Sequence, residues 1–157
     1  MTVSLTLHAP AGPQPVGRPV AVWAELRNEG TNELLIVDVV DGSETGVRFP
    51  RWLPSVWLGD AAVATTPRPE DPLVGPLRME DFRRLAPGEA FNPGQLATFS
   101  TFAPPAPGRY TYRLELSTES DTDEGWLGSF NQDREVIDLV ARVPRFTARA
   151  TVTVEVR

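Results

Sequence analysis

The chain contains no cysteine, which excludes disulfides, thiolate nucleophiles and thiolate zinc sites. It contains a single histidine, His8, so an HExxH zinc site or any two-histidine mechanism within the chain is excluded too. All fifteen basic residues are arginine. Without lysine there is no Schiff-base chemistry, no Ser–Lys dyad and no P-loop. No apolar run approaches the roughly 20 residues of a membrane-spanning helix, so no membrane insertion is expected. The opening residues Met1 to Leu7 have neither the basic lead nor the apolar run of a signal peptide. If the chain is full length, that places it in the cytoplasm. A net charge of −6 and a pI near 4.8 argue against nucleic acid, whose phosphates demand a basic face.

What remains is a chain of 157 residues, 41% hydrophobic and 23% charged, which suits one globular domain over 1–157 and lacks the signature of disorder. Four stretches alternate apolar and polar residues with period two, the mark of strands with one buried face. They are Val3–Leu7, Val20–Leu26, Tyr110–Leu116 and Ala150–Val156. Glu33 to Val40 is apolar on both faces and predicts a central strand covered on both sides. Val47 to Leu58 is β-prone but broken by Pro50 and Pro54, which predicts an edge strand or an irregular crossing. Leu96 to Phe102 is a further predicted strand. Between Asp133 and Val143, the spacing of Val136, Leu139, Val140 and Val143 follows a helical period, stopped by Pro144. Short strands with frequent Pro and Gly turns predict an all-β, antiparallel β-sandwich. Two long excursions, roughly Gly59–Met79 and Glu119–Pro144, exceed ordinary loop lengths and draw attention as functional segments.

Three motifs carry a resemblance. A strand ends in Leu26-Arg-Asn28-Glu-Gly30, where a tight turn is expected; Phe82 to Glu89 contains a Leu-Ala-Pro-Gly-Glu turn; and Pro107-Gly108-Arg-Tyr110 opens a strand near the position of a tyrosine corner. Together they resemble bacterial immunoglobulin-like or fibronectin-III-like sandwiches over roughly Val3 to Leu116. The order is also similar to that of the non-catalytic β-sandwich preceding deuterolysin-type metalloprotease domains, matched here by Asp81 to Glu89. The resemblance implies an immunoglobulin-like sandwich of seven to nine strands. It brings no catalytic residue, since the protease chemistry belongs to the other domain.

The candidate chemistry is sparse. His8 lies on the polar face of a terminal strand with no G-x-S-x-G elbow anywhere, so a triad has no foundation. Asp121, Asp123 and Glu124 crowd one loop, but clustering alone meets neither the separation nor the raised pKa that paired glycosidase carboxylates need. The same three residues raise the question of calcium, yet the run fails as an EF-hand: Trp126 stands where the loop needs glycine and Gln132 where it needs glutamate. No cofactor or metal is expected; a calcium site of another kind between the sandwich loops is the alternative.

The tryptophans are the strongest remaining signal. Trp52 and Trp57 fall beside Arg51 in the proline-broken segment, and Trp126 sits in the acidic excursion. Trp and Arg are favoured anchors at protein interfaces, and a flat indole also stacks on sugars. Trp52 and Trp57 divide between core and contact surface, with Phe49, Pro50, Trp52 and Pro54 forming an apolar patch in the second case. For Trp23 and Trp126 the plain alternative is that Trp126 and Phe130 fold back over Trp23 as a secondary core. The reading is a non-catalytic recognition or accessory module for a protein partner, protease-associated or inhibitory in its sharpest form. Arg51, Trp52, Trp57 and Trp126 would be the binding residues, and the acidic loop would steer a basic partner. The alternatives are a carbohydrate-binding module using exposed Trp residues and a structural subunit of an assembly.

Overall fold

A computed structural model describes residues 2–129 and 132–157. Its strands are β1 (Val3–His8), β2 (Trp23–Asn28), β3 (Leu34–Val37), β4 (Arg51–Leu58), β5 (Ala61–Thr65), β6 (Phe82–Leu85), β7 (Ala90–Phe91), β8 (Gly108–Ser117) and β9 (Thr147–Val156). Two short helices, α1 (Ala97–Thr101) and α2 (Arg134–Val140), and two 3-10 turns complete the regular structure among the described residues. The strand ladders are antiparallel and fall into three sheets, ordered β1-β2-β7, β3-β6 and β5-β4-β8-β9. With 36% strand against 12% helix, the chain is all-β. No helix among the described residues is long and apolar enough to cross a membrane.

Alternation decides which side chains meet. Leu5 and Leu7 of β1, Ala24 and Leu26 of β2, Trp52 and Val56 of β4, and Tyr110 to Leu116 of β8 at every second position share one buried core. The β1-β2-β7 and β5-β4-β8-β9 sheets therefore bury their apolar faces together. Tyr110 is buried, and its hydroxyl donates to Ala106 O, four residues upstream, at 2.8 Å.

Strands β2 and β3 are one path interrupted by a kink, and β6 and β7 are its partner path. Asn28 holds the kink from within. Its side-chain amide donates to Asn32 O at 2.8 Å and Leu85 O at 2.9 Å, and its carbonyl oxygen Oδ1 accepts from Gly30 N at 3.0 Å. On the opposite path, Gly88 turns with φ 80° and donates its amide to Asn28 O at 2.8 Å. That positive φ is one that glycine adopts without steric cost, which explains the Pro-Gly-Glu turn.

Beyond the kink, β3 separates two cores. Leu34 and Ile36 face the main core, while Leu35 and Val37 face a second one with Leu77, Trp126, Val136, Val140 and Val143. Both long excursions build this second core, and they are tied to each other. The Gln132 side chain accepts from Leu77 N at 3.0 Å and donates to Leu77 O at 2.6 Å, and Ser129 N donates to Val74 O at 2.9 Å.

Three expectations need correction. The Glu33–Val40 segment is buried on both faces as predicted, but its strand is not central in a sheet: β3 pairs with β6 alone, and its second face is covered by the excursions. The Val47–Leu58 segment is at an edge only over residues 51–54, which pair with β8 alone. The rest of β4 lies between β5 and β8, and Pro54 falls in the half of β4 that lacks a β5 partner, where a missing donor is tolerated. Leu96 to Phe102 is helical rather than extended. Leu96 and Phe99, three residues apart, both enter the core, and Ala97 N at the helix start donates to the Glu44 carboxylate at 2.7 Å.

Candidate recognition surface

The outer face of the β5-β4-β8-β9 sheet is built by the residues that alternation turns away from the core. The register sets them in rows across three strands: Arg51, Ser117 and Thr147; then Leu53, Glu115 and Arg149; then Ser55, Arg113 and Thr151; then Trp57, Thr111 and Thr153. Trp57 is half-buried on this face. Its indole N–H donates to Ser55 Oγ at 2.8 Å, so the ring is tethered to its same-face neighbour two residues away. The Arg113 guanidinium lies over the indole, 4.5 Å from the ring centroid, within reach of a cation–π attraction. One row away, Arg149 Nε pairs with Glu115 at 2.8 Å. Leu53, Ser55, Trp57, Arg113 and the Arg149–Glu115 pair line a shallow groove of about 350 Å³.

Of the residues expected to bind, Trp57 and Arg51 lie on this face. Arg51 is half-buried and stacks its guanidinium on Phe49, 4.2 Å from the ring centroid. Trp52 and Trp126 do not lie on it. Both are 0% exposed, so neither is a surface anchor. For Trp52 the reason is parity: with Trp57 turned outward, Trp52, Pro54 and Val56 point inward, which also removes the expected patch of Phe49, Pro50, Trp52 and Pro54. Trp126 closes the second core against Phe49, with ring centroids 6.0 Å apart, and its indole N–H donates to Ser120 Oγ at 2.6 Å. It does not cap Trp23, which is 42% exposed and stacks on His8 at 4.1 Å. Phe130, expected beside it, lies outside the described residues.

The acidic loop is partly committed elsewhere. Asp123 pairs with Arg145 at 2.8 Å, and the same guanidinium reaches Val140 O and Val143 O at 3.1 Å while lying 4.9 Å from the Trp126 ring centroid. Among the described residues, no three His, Cys, Asp or Glu side chains converge as metal ligands would, so Asp121, Asp123 and Glu124 form no such group.

A larger cleft, about 420 Å³, is lined by Asp41, Arg48, Gly75, Arg78 and Asp81 among others. Arg48 is 2% exposed and donates to Gly75 O through Nη1, tying the 41–50 turn to the first excursion. Burial pushes its pKa down, against the pull of Asp41 and Asp81, while its Nε and Nη2 are covered and have no hydrogen-bond partner among the described residues. Those two nitrogens are closed off from the cleft, so Arg48 serves as a tie between loops. Compared with known families, curated proteins and solved structures, the chain matches none.

Sequence reasoning named Trp57 and Arg51 but missed Arg113, Arg149 and Leu53. Their signal was present as outward positions of alternating strands, and only the register brings them together.

Proposed function

We propose that the chain is an immunoglobulin-like antiparallel β-sandwich acting as a non-catalytic protein-recognition module, with the outer face of β4, β8 and β9 as its contact surface. Several observations support the fold reading. The orders β1-β2-β7 and β5-β4-β8-β9 correspond to strands A-B-E and C′-C-F-G of that architecture. Tyr110, near the start of the strand equivalent to F, makes the tyrosine-corner bond to Ala106 O. The strand counterparts of B and E are each broken at the Asn28 kink.

The observation that carries the recognition reading is the tethered Trp57 indole under Arg113, beside Leu53 in a concave patch. Trp and Arg are the residues most enriched at the energetic centres of protein interfaces, and a tethered indole loses little entropy on docking. The likeness to sandwiches preceding deuterolysin-type domains makes a protease the first partner to test, in an accessory or inhibitory role. Capture from native lysate by wild type, Trp57→Ala and Trp23→Ala tests the surface. Loss of one specific protein with Trp57→Ala and its retention with Trp23→Ala is expected, both variants keeping their fold by near-UV circular dichroism. The opposite pattern would move the contact to the β1-β2-β7 sheet.

A carbohydrate reading has one observation in its favour, the exposed Trp23 on His8. The coplanar Trp pair it would need on β4 is missing, because Trp52 is buried and the Trp57 ring carries Arg113. Protection of the fold by oligosaccharides, lost with Trp23→Ala, would establish it.

A further inference from the structure

We infer that the partner of this face is an acidic polypeptide segment, an inference that rests on the recognition reading above and reverses the expected sign of its electrostatics. The chain carries a net charge of −6, yet the outward positions of β4, β8 and β9 carry the opposite sign. Arg51, Arg109, Arg113 and Arg149 stand there against Glu115 and Glu155, four positive charges to two negative. Both glutamates are already engaged, Glu115 by Arg149 at 2.8 Å and Glu155 by Arg157 at 3.1 Å. Among the described residues Arg51, Arg109 and Arg113 have no carboxylate within ion-pair distance; unpaired arginines such as Arg18 and Arg134 occur elsewhere too, but here three stand on one sheet face.

Geometry adds to the charge. Arg113 sits over the indole, and this contact holds the guanidinium above the groove. A planar guanidinium presents two parallel N–H donors that match a carboxylate, and a pre-positioned one gives up less rotamer freedom on binding. A basic face on an acidic molecule also orients an acidic partner during approach, while the rest of the surface repels it. The occupant that fits is a segment with spaced Asp or Glu side chains and an apolar residue for the Leu53–Trp57 hollow.

Fluorescence anisotropy with a labelled decaglutamate peptide tests the charge directly. The intact protein is compared with Arg109→Glu/Arg113→Glu on the face and Arg18→Glu/Arg134→Glu away from it, two exposed pairs with the same change in net charge. Expected is binding at about 50 mM salt that disappears near 500 mM, where the screening length shrinks to a few ångströms. The face variant should bind at least about tenfold more weakly and the control within about twofold. No binding at low salt, equal loss in both variants, or tighter binding of a ten-residue oligothymidylate would overturn the inference. So would a wild-type dimer in sedimentation that the face variant abolishes, since the occupant would then be a second copy. If a captured protein is lost with Trp57→Ala yet survives Arg109→Glu/Arg113→Glu, the recognition reading stands and the acidic partner falls.

Discussion

The side-chain amide of Asn28 reaches Leu85 O at 2.9 Å, joining residues 57 positions apart at the point where both strand paths kink. Asn28 is 1% exposed; its bond to Leu85 O is buried, and those with Asn32 O and Gly30 N are partly buried. Asn28→Ala leaves two carbonyls and an amide without partners, at roughly 1–3 kcal/mol for each buried group left unmade. Part of that is recovered by water entering the kink. A net loss of about 2–4 kcal/mol is expected in urea denaturation. Asn28→Asp should cost at least as much, because a carboxylate would face Asn32 O and Leu85 O. A variant as stable as wild type would show that the kink is held by other contacts.

Glu44 separates two effects that usually travel together. Burial pushes its carboxyl pKa up, and the hydrogen bond from Ala97 N pulls it back only in part. The folded state therefore disfavours the charge that the unfolded chain carries freely at neutral pH, and stability from this group rises as pH falls through its raised pKa. Glu44→Gln keeps an acceptor for Ala97 N and removes the charge, so it should raise the melting temperature at pH 7. Glu44→Ala removes the acceptor and should lower stability by roughly 0.5–2 kcal/mol, as for a lost helix cap. Thermal melts of the two variants at pH 7 and pH 4 check both signs.

The strands with one wet face were plain in the sequence. β1, β8 and β9 alternate because one side meets water and the other the core, and period two reports that contrast. Leu34 to Val37 shows the limit of the same signal. Continuous apolar character reports burial on both faces but not what does the burying, and here a second core replaces the expected flanking strands. Leu96 to Phe102 was misread because one helical turn and one short strand place apolar residues alike over so few positions.

The candidate site was half legible. A tryptophan beside an arginine in a broken segment singled out Trp57 and Arg51, but the parity that sends Trp57 outward and Trp52 inward is set by the register of β4 on β8. Arg113 meets Trp57 across 56 positions of sequence, and Arg149 joins them from a third strand. No local pattern encodes such a pairing. The charge of the face was hidden for a related reason: acidic residues such as Asp123 cluster in sequence, and Asp123 pairs with Arg145 on folding, whereas the arginines of the face gather only through the register.

Trp126 tests whether the second core is an integral part of the fold. It is 0% exposed and contacts both the Phe49 ring and the Arg145 guanidinium. Trp126→Ala should cost about 3–5 kcal/mol, the range for deleting a buried aromatic. Ser120→Ala, which removes the acceptor of the indole N–H, should cost about 1 kcal/mol. Hydrogen exchange on Trp126→Ala should show lost protection in α2 first, with β8 and β9 retained. Unchanged protection in α2 would mean that the excursion is held without its tryptophan.

Tyr112 makes the fold sensitive to base. It is 0% exposed, its hydroxyl has no hydrogen-bond partner among the described residues, and its ring meets Phe99 edge-on at 5.5 Å. Burial, with a smaller contribution from nearby Tyr110, pushes its pKa from 10.0 up to about 12. Between those values the unfolded state releases the phenolic proton and the folded state keeps it, so the unfolded state binds fewer protons and stability falls as pH rises. The contribution is fully present below pH 10 and is lost as pH climbs towards 12, amounting to roughly 2–3 kcal/mol at most. Tyr112→Phe removes the titrating group together with an unsatisfied hydroxyl. It should leave stability at pH 7 unchanged or slightly higher and should flatten the fall in melting temperature above pH 10. An equally steep fall in the variant would assign base sensitivity to other groups, and a marked loss at pH 7 would show that the hydroxyl has a partner after all.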